Sequence, residues 1–162
     1  MKQTTNFFSQ TILKGSKKAA IMMALLLTVC VSYSFAKPAD SVNGEIKNAF
    51  RKNFQNAQIM STETHKGFTK LTFKIDDIVM FAFYSDNGQL LAVTRNIVSS
   101  QLPYSLRTSL KNDYESYWIT ELFEFTGDSD NAYYVSLENA DKKVVLRSNG
   151  DGWEEYSSTK KQ

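Results

Sequence analysis

Cysteine and histidine occur once each in the 162 residues, as Cys30 and His65, and proline only twice, as Pro38 and Pro103. One thiol cannot close a disulfide within the chain, so the fold must be held by its core alone. One histidine, with no second histidine to join it, makes a poor start for a zinc site; no metal and no cofactor is expected. No Gly-x-Ser-x-Gly elbow is present, and no catalytic residue is assigned. There is no basic stripe either, which excludes a phosphate-neutralising, nucleic-acid-binding surface.

The N-terminus does carry a pattern. Lys14, Lys17 and Lys18 precede the apolar run Ala19–Val31, and the small residues Ser34 and Ala36 stand just before Lys37. This is the form of a secretory signal peptide over residues 1–36, cut after Ala36. The apolar run gives way to Ser32, Tyr33 and Ser34 before it reaches the roughly 20 residues needed to cross a bilayer. Cys30 follows a branched Val29 rather than the small residue of a lipoprotein signal. A periplasmic or secreted protein without a membrane span after cleavage is therefore expected. The leader takes with it the only cysteine and Lys2, Lys14, Lys17 and Lys18, leaving fifteen basic against seventeen acidic residues, a net charge of −2. Seventeen aromatics remain, enough for a large core in one domain over residues 37–157.

Within that domain the apolar spacing predicts a helix capped by Ser41, with Val42, Ile46, Ala49, Phe50 and Phe54 on one stripe. Alternation from Ala57 to Arg95 predicts strands, with a tight hairpin at Asn87-Gly88 joining 78–85 to 89–97 and a weaker turn at Asp76-Asp77. Pro103 opens a second helix bearing Leu106, Leu110 and Tyr114. Strands at Trp118–Phe125, Ala132–Glu138, Lys143–Arg147 and Trp153–Tyr156 follow, with a turn at Asn149-Gly150 and a fraying polar tail over residues 158–162. The fold class expected is α+β, two helix-then-strands repeats (about 40–98 and 99–157) forming an antiparallel sheet with its helices on one face. Phe50 matches Leu110, Phe54 matches Tyr114, Phe73 matches Tyr133 and Ile75 matches Val135 between the halves.

The cleaved leader, the helix ending Ala49-Phe50…Phe54…Ala57, the strand–turn–strand Phe83-Tyr84-Ser85-Asp86-Asn87-Gly88-Gln89-Leu90-Leu91 and Leu102-Pro103 at the second helix together resemble a known group. They are similar to the periplasmic PepSY-like proteins, also described as β-lactamase-inhibitor-protein-like (BLIP-like). Ser85 and Asn87 replace the two acids of that group's aromatic–Asp–x–Asp–Gly turn. The resemblance implies two α+β repeats and a non-catalytic binding protein or inhibitor.

Candidate reactive residues have plainer readings. His65, between Thr64 and Lys66-Gly67, reads as an exposed loop histidine. Asp128-Ser129-Asp130 starts like a calcium loop, but Ala132 and Tyr133 stand where an oxygen ligand and a glycine belong. Asp76-Asp77, Asp86 and Glu154-Glu155 read as solvated turn or strand acids. The strand Ile78-Val79-Met80-Phe81-Ala82-Phe83-Tyr84 is apolar on both sides, so helices on one face leave apolar groups on the other. Strict alternation sets Ile119, Glu121, Phe123 and Phe125 opposite Trp118, Thr120, Leu122 and Glu124. A sheet face carrying Tyr84, Trp118 and Tyr134 among polar neighbours is expected to bind a protein or peptide of the cell envelope. The competing expectations are that these aromatics are core, that the face is a self-association surface of a structural or stress-response protein, or that a small envelope enzyme uses His65 or Asp128.

Overall fold

The first described element is a helix, α1 (Gly44–Asn53), whose Ile46 and Phe50 are buried and whose Asn43 side chain caps it by accepting from the Glu45 amide at 3.0 Å. The computed structural model describes residues 42–128 and 130–161. The expected signal peptide and Ser41, the expected cap, lie outside the described residues, and Asn43 does the capping.

Four strands follow, β1 (Gln58–His65), β2 (Phe68–Ile75), β3 (Ile78–Ser85) and β4 (Leu90–Asn96). A 3-10 turn at Ser99–Gln101 leads into α2 (Tyr104–Asp113), with Pro103 at its N-cap. Then come β5 (Trp118–Gly127), β6 (Asn131–Glu138), β7 (Lys142–Asn149) and β8 (Gly152–Lys160). All eight strands form one antiparallel meander in chain order. Residues 158–160, expected to fray, instead pair with β7 up to Lys142↔Lys160. Lys161 continues the tie, its amide donating to the Asp141 carbonyl at 2.8 Å.

Turn chemistry differs from expectation. Asp76 and Asp77 both take positive φ (48° and 65°) between the paired Ile75 and Ile78. A two-residue turn that matches strand twist needs left-handed backbone at both positions, which aspartate tolerates. The weaker signal is therefore the tighter hairpin. At Asn87-Gly88 only Gly88 has positive φ (76°), and the loop is longer: Gly88 N donates to Ser85 O and Ser85 N to Gln89 O, both at 2.9 Å. A Cβ at position 88 would lie 3.3 Å from the Glu45 carbonyl, so glycine also lets this turn press against the start of α1.

One sheet face carries two apolar clusters. Ile46 and Phe50 pack on Leu71, Phe73, Ala82 and Tyr84, with Phe50 edge-on to Phe73 at 5.1 Å. Leu110, Leu102 and Ile97 pack on Leu122, Val135, Leu137, Val144 and Leu146. Trp153 Nε1 donates to the Leu106 carbonyl at 2.9 Å, tying α2 to β8. Between the clusters the Arg95–Glu124 ion pair (2.6 Å) bridges β4 and β5.

Candidate functional site

Side chains alternate across a strand, so the ladder register decides which groups share a face. The two-residue Asp76-Asp77 turn sets Leu71↔Ala82 and Phe73↔Met80, which sends Met80, Ala82 and Tyr84 towards α1 and Val79, Phe81 and Phe83 the other way. Tyr84, expected on a binding face, is 0% exposed in the α1 cluster, where its hydroxyl accepts from Asn53 Nδ2 at 3.3 Å. Burial raises its pKa, and the Asn53 bond opposes the rise. Tyr84 is core beneath a helix and does not line the opposite face.

In β5 strict alternation is broken by a register shift between Ile119 and Glu121, where Thr120 Oγ1 donates to the Ser136 carbonyl at 3.2 Å. Ile119 therefore pairs with Leu137 on the helix side, while Trp118 pairs with Glu138 on the other. Glu121 and Phe123 remain on the side of Ser136 and Tyr134. The expected split of β5 thus holds only beyond Thr120. This bulge brings Trp118 onto the face of Tyr134.

That face carries neither α1 nor α2 and is helix-free among the described residues. Tyr134 stacks on Phe123 at 5.4 Å and meets Phe125 (6.0 Å) and Tyr156 (5.7 Å) edge-on. Phe68 and Phe83 continue the aromatic layer at 6.1 Å. Tyr134 is only 2% exposed, whereas Trp118 is 54% and Tyr156 37% exposed. Trp118 and Tyr134, expected side by side at the surface, thus share a face but differ in access.

Charge surrounds the aromatics. Arg147 Nε donates to the Tyr134 hydroxyl (3.1 Å), Nη2 to Asp130 (2.7 Å) and Nη1 to Glu154 (3.0 Å). Burial works against the guanidinium charge, but these acceptors outweigh it and hold the pKa above the ordinary arginine value. Burial raises the Tyr134 pKa against the opposing Arg147 charge. Lys70 bonds Glu63 at 3.1 Å and lies 5.0 Å over the Phe81 ring. Lys161 pairs with Glu138 (2.5 Å) and lies 5.4 Å over Trp118. Glu121 keeps a buried Oε2 that has no hydrogen-bond partner among the described residues. Desolvation raises its pKa, opposed by Lys143, the Ser136 bond and Lys70.

The residues weighed for chemistry do not assemble. His65, expected in an exposed loop, ends β1 half-buried and stacks on Phe68 at 4.7 Å; its Nε2 is buried and 4.0 Å from Glu63. Asp130 is engaged by Arg147. Among the described residues no group of three or more His, Cys, Asp or Glu could hold a metal ion, and no helix is long and apolar enough to cross a membrane. Sequence reasoning missed Tyr156, Arg147 and Glu121 as members of this face. Tyr156 takes its side from the pairing of Glu154 with Arg147, two residues earlier on the same face, a register that no local composition announces.

No protein-family model and no curated protein matches the sequence. Solved structures do match in shape. A BLIP-like protein from Bacteroides fragilis superposes with a TM-score of 0.62 at 16% identity, over 78% of this chain and 88% of that one. The chain has the BLIP-like fold. A DUF2874 family protein from Bacteroides uniformis gives 0.65 at 10% identity, covering 74% and 89% of the two chains. A protein from Bacteroides eggerthii, provisionally described as periplasmic, gives 0.65 at 7% identity over 74% and 88%. At such identities the likeness is one of fold, and the chemistry of the BLIP-like sheet must be read from its own residues.

Proposed function

We propose that this chain is a non-catalytic binding module of the cell envelope, released by cleavage near Ala36, that engages a protein or peptide through the helix-free face of its sheet. The observation that carries the reading is an aromatic layer bearing exposed Trp118 and Tyr156 within a rim of both charge signs. Such amphipathic aromatics supply contact area at modest entropic cost, and their burial dominates many interfaces. Trp118 and Tyr156 are the contact residues, and Tyr134 is the packed support behind Tyr156. The periplasmic description of one fold relative and the BLIP-like name of another agree with this reading. The edge strands favour a face over an edge as the contact. Register shifts interrupt both edge ladders, at Ile59/Ser61 and Val145/Leu146, and such irregularities discourage further strand pairing.

The test is affinity capture from envelope extract by the wild-type protein and by Trp118→Ala/Tyr156→Ala. A partner held by the first and lost by the second, at unchanged melting temperature, is the expected result. Equal capture by both would remove the face from consideration. Self-association is the second reading, favoured by exposed Ile78, Val79, Val98 and Ile119. It predicts a single assembled mass that survives dilution to low micromolar concentration.

We also infer that the two halves arose by duplication. Each half is one helix and four strands, and the register shifts in β1 and β5 fall at Met60 and Thr120, the third residue of each strand. Phe50 and Leu110 occupy matching places, accepting from Phe54 N and Tyr114 N respectively. An alignment of homologous chains whose halves are no more alike than unrelated α+β segments would remove this inference.

A further inference from the structure

We propose that the groove between α2 and the start of β5 binds a small amphipathic anion, an apolar body ending in one carboxylate. The groove lies on the helix-bearing side, apart from the aromatic face, and the proposal does not rest on that face binding anything. Its volume is about 380 Å³. This is at the small end of the ~300–1,000 Å³ typical of ligand sites, which suits a small molecule better than a folded partner.

The lining sets the ligand's chemistry. Leu110, Leu137 and Ile119 form an apolar floor, and Tyr114 and Tyr117 meet edge-on at 5.7 Å beside it. Ile119 is on this side only because of the Thr120 register shift, and it stays exposed although its strand partner Leu137 is core. Arg107 and Lys111 line the groove one helical turn apart, on the same side of α2. Among the described residues neither has an ion pair. The helix dipole accounts for Lys111 in the last turn of α2, but Arg107 belongs to the first half, where a cation has no such stabilisation. Among the described residues Glu115 is the only acid in the lining. Two cations without ion pairs, of which Arg107 also lies 5.7 Å over the exposed Tyr104 ring, against one acid and above an apolar floor, fit a carboxylate on a hydrocarbon or aromatic body. Apolar burial supplies affinity, and the charges supply the choice of anion over cation.

The probes are octanoate, octanol and octylammonium, titrated into the protein purified from the envelope fraction while the backbone amides of Tyr117 and Ile119 are followed by NMR. Octanoate is expected to shift both amides and to bind about fivefold tighter than octanol, the scale of an exposed ion pair, with octylammonium weakest. Arg107→Gln/Lys111→Gln, at exposed positions, should abolish the preference for octanoate over octanol. Ile119→Ser should weaken both ligands, and Glu115→Gln should tighten octanoate. The proposal is overturned if octanol binds as tightly as octanoate, if the shifted amides lie elsewhere, if nothing shifts, or if the double variant retains the preference.

Discussion

Tyr84 and Tyr134 have the same side chain and nearly the same burial, yet they belong to different kinds of surface. Tyr84 lies beneath α1 among Ile46, Phe50 and Leu71, and its hydroxyl meets a neutral amide. Tyr134 lies on the helix-free face against other aromatics, and its hydroxyl accepts from a guanidinium shared with Asp130 and Glu154. The helix-covered side is a conventional apolar core. The other side joins an aromatic layer to a charged rim and leaves Trp118 and Tyr156 accessible, which is the composition of a contact surface. Burial alone therefore does not separate the residues beneath α1 from those of the aromatic layer on the other face.

The comparison can be broken most forcefully on the helix-covered side. Phe73→Ala removes a ring packed against Phe50 and Phe54 and should cost about 3–5 kcal/mol in denaturant unfolding; a loss below ~1 kcal/mol would show that this side is loosely packed. The hydroxyl pair sharpens it. Tyr134→Phe removes a bond from a charged donor and should cost ~1.5–3 kcal/mol, whereas Tyr84→Phe, losing a neutral bond, should cost ~0.5–1.5 kcal/mol. Equal losses would deny the two tyrosines their different surroundings.

A smaller effect has a pH signature. The Glu121 pKa is raised in the folded state, so between the ordinary carboxylate value and that raised value the folded protein holds the proton the unfolded chain has lost. Stability falls as pH rises through this window. Glu121→Gln should therefore raise the melting temperature at neutral pH and leave the contribution of this group unchanged below the carboxylate range. A variant that destabilises equally at both pH values would contradict the desolvation account. The smallest change in stability is expected for Trp118→Ala, within about 0.5 kcal/mol because the ring is largely solvated. Thermal unfolding checks it, and a loss of several kcal/mol would make Trp118 core.

Local periodicity made the elements legible: the α1 stripe through Ile46 and Phe50, the α2 stripe through Leu106 and Leu110, and the alternating strands are all present. The faces were less legible, because parity depends on turns and bulges that add or remove one residue. Asp76-Asp77 as a two-residue turn puts Tyr84 in the core, and the bulge at Thr120 moves Trp118 to the face of Tyr134. Both effects arise from backbone geometry and cross-strand bonding rather than from composition. The last strand was underestimated for a related reason: Ser158, Thr159 and Lys160 look like a polar tail but are an edge strand whose exposed groups need no apolar residues. Arg147 gave no local signal, since its three side-chain acceptors come from β6, β8 and the loop before β6.

The most direct test of the helix-free face as the contact surface is site-specific photocrosslinking in intact cells, with the photoreactive residue at Lys143 on that face and, in a separate strain, at Lys52 on the outer side of α1. The account predicts a discrete crosslinked partner from position 143 and none from position 52. The same adduct from position 52, with none from 143, would contradict it.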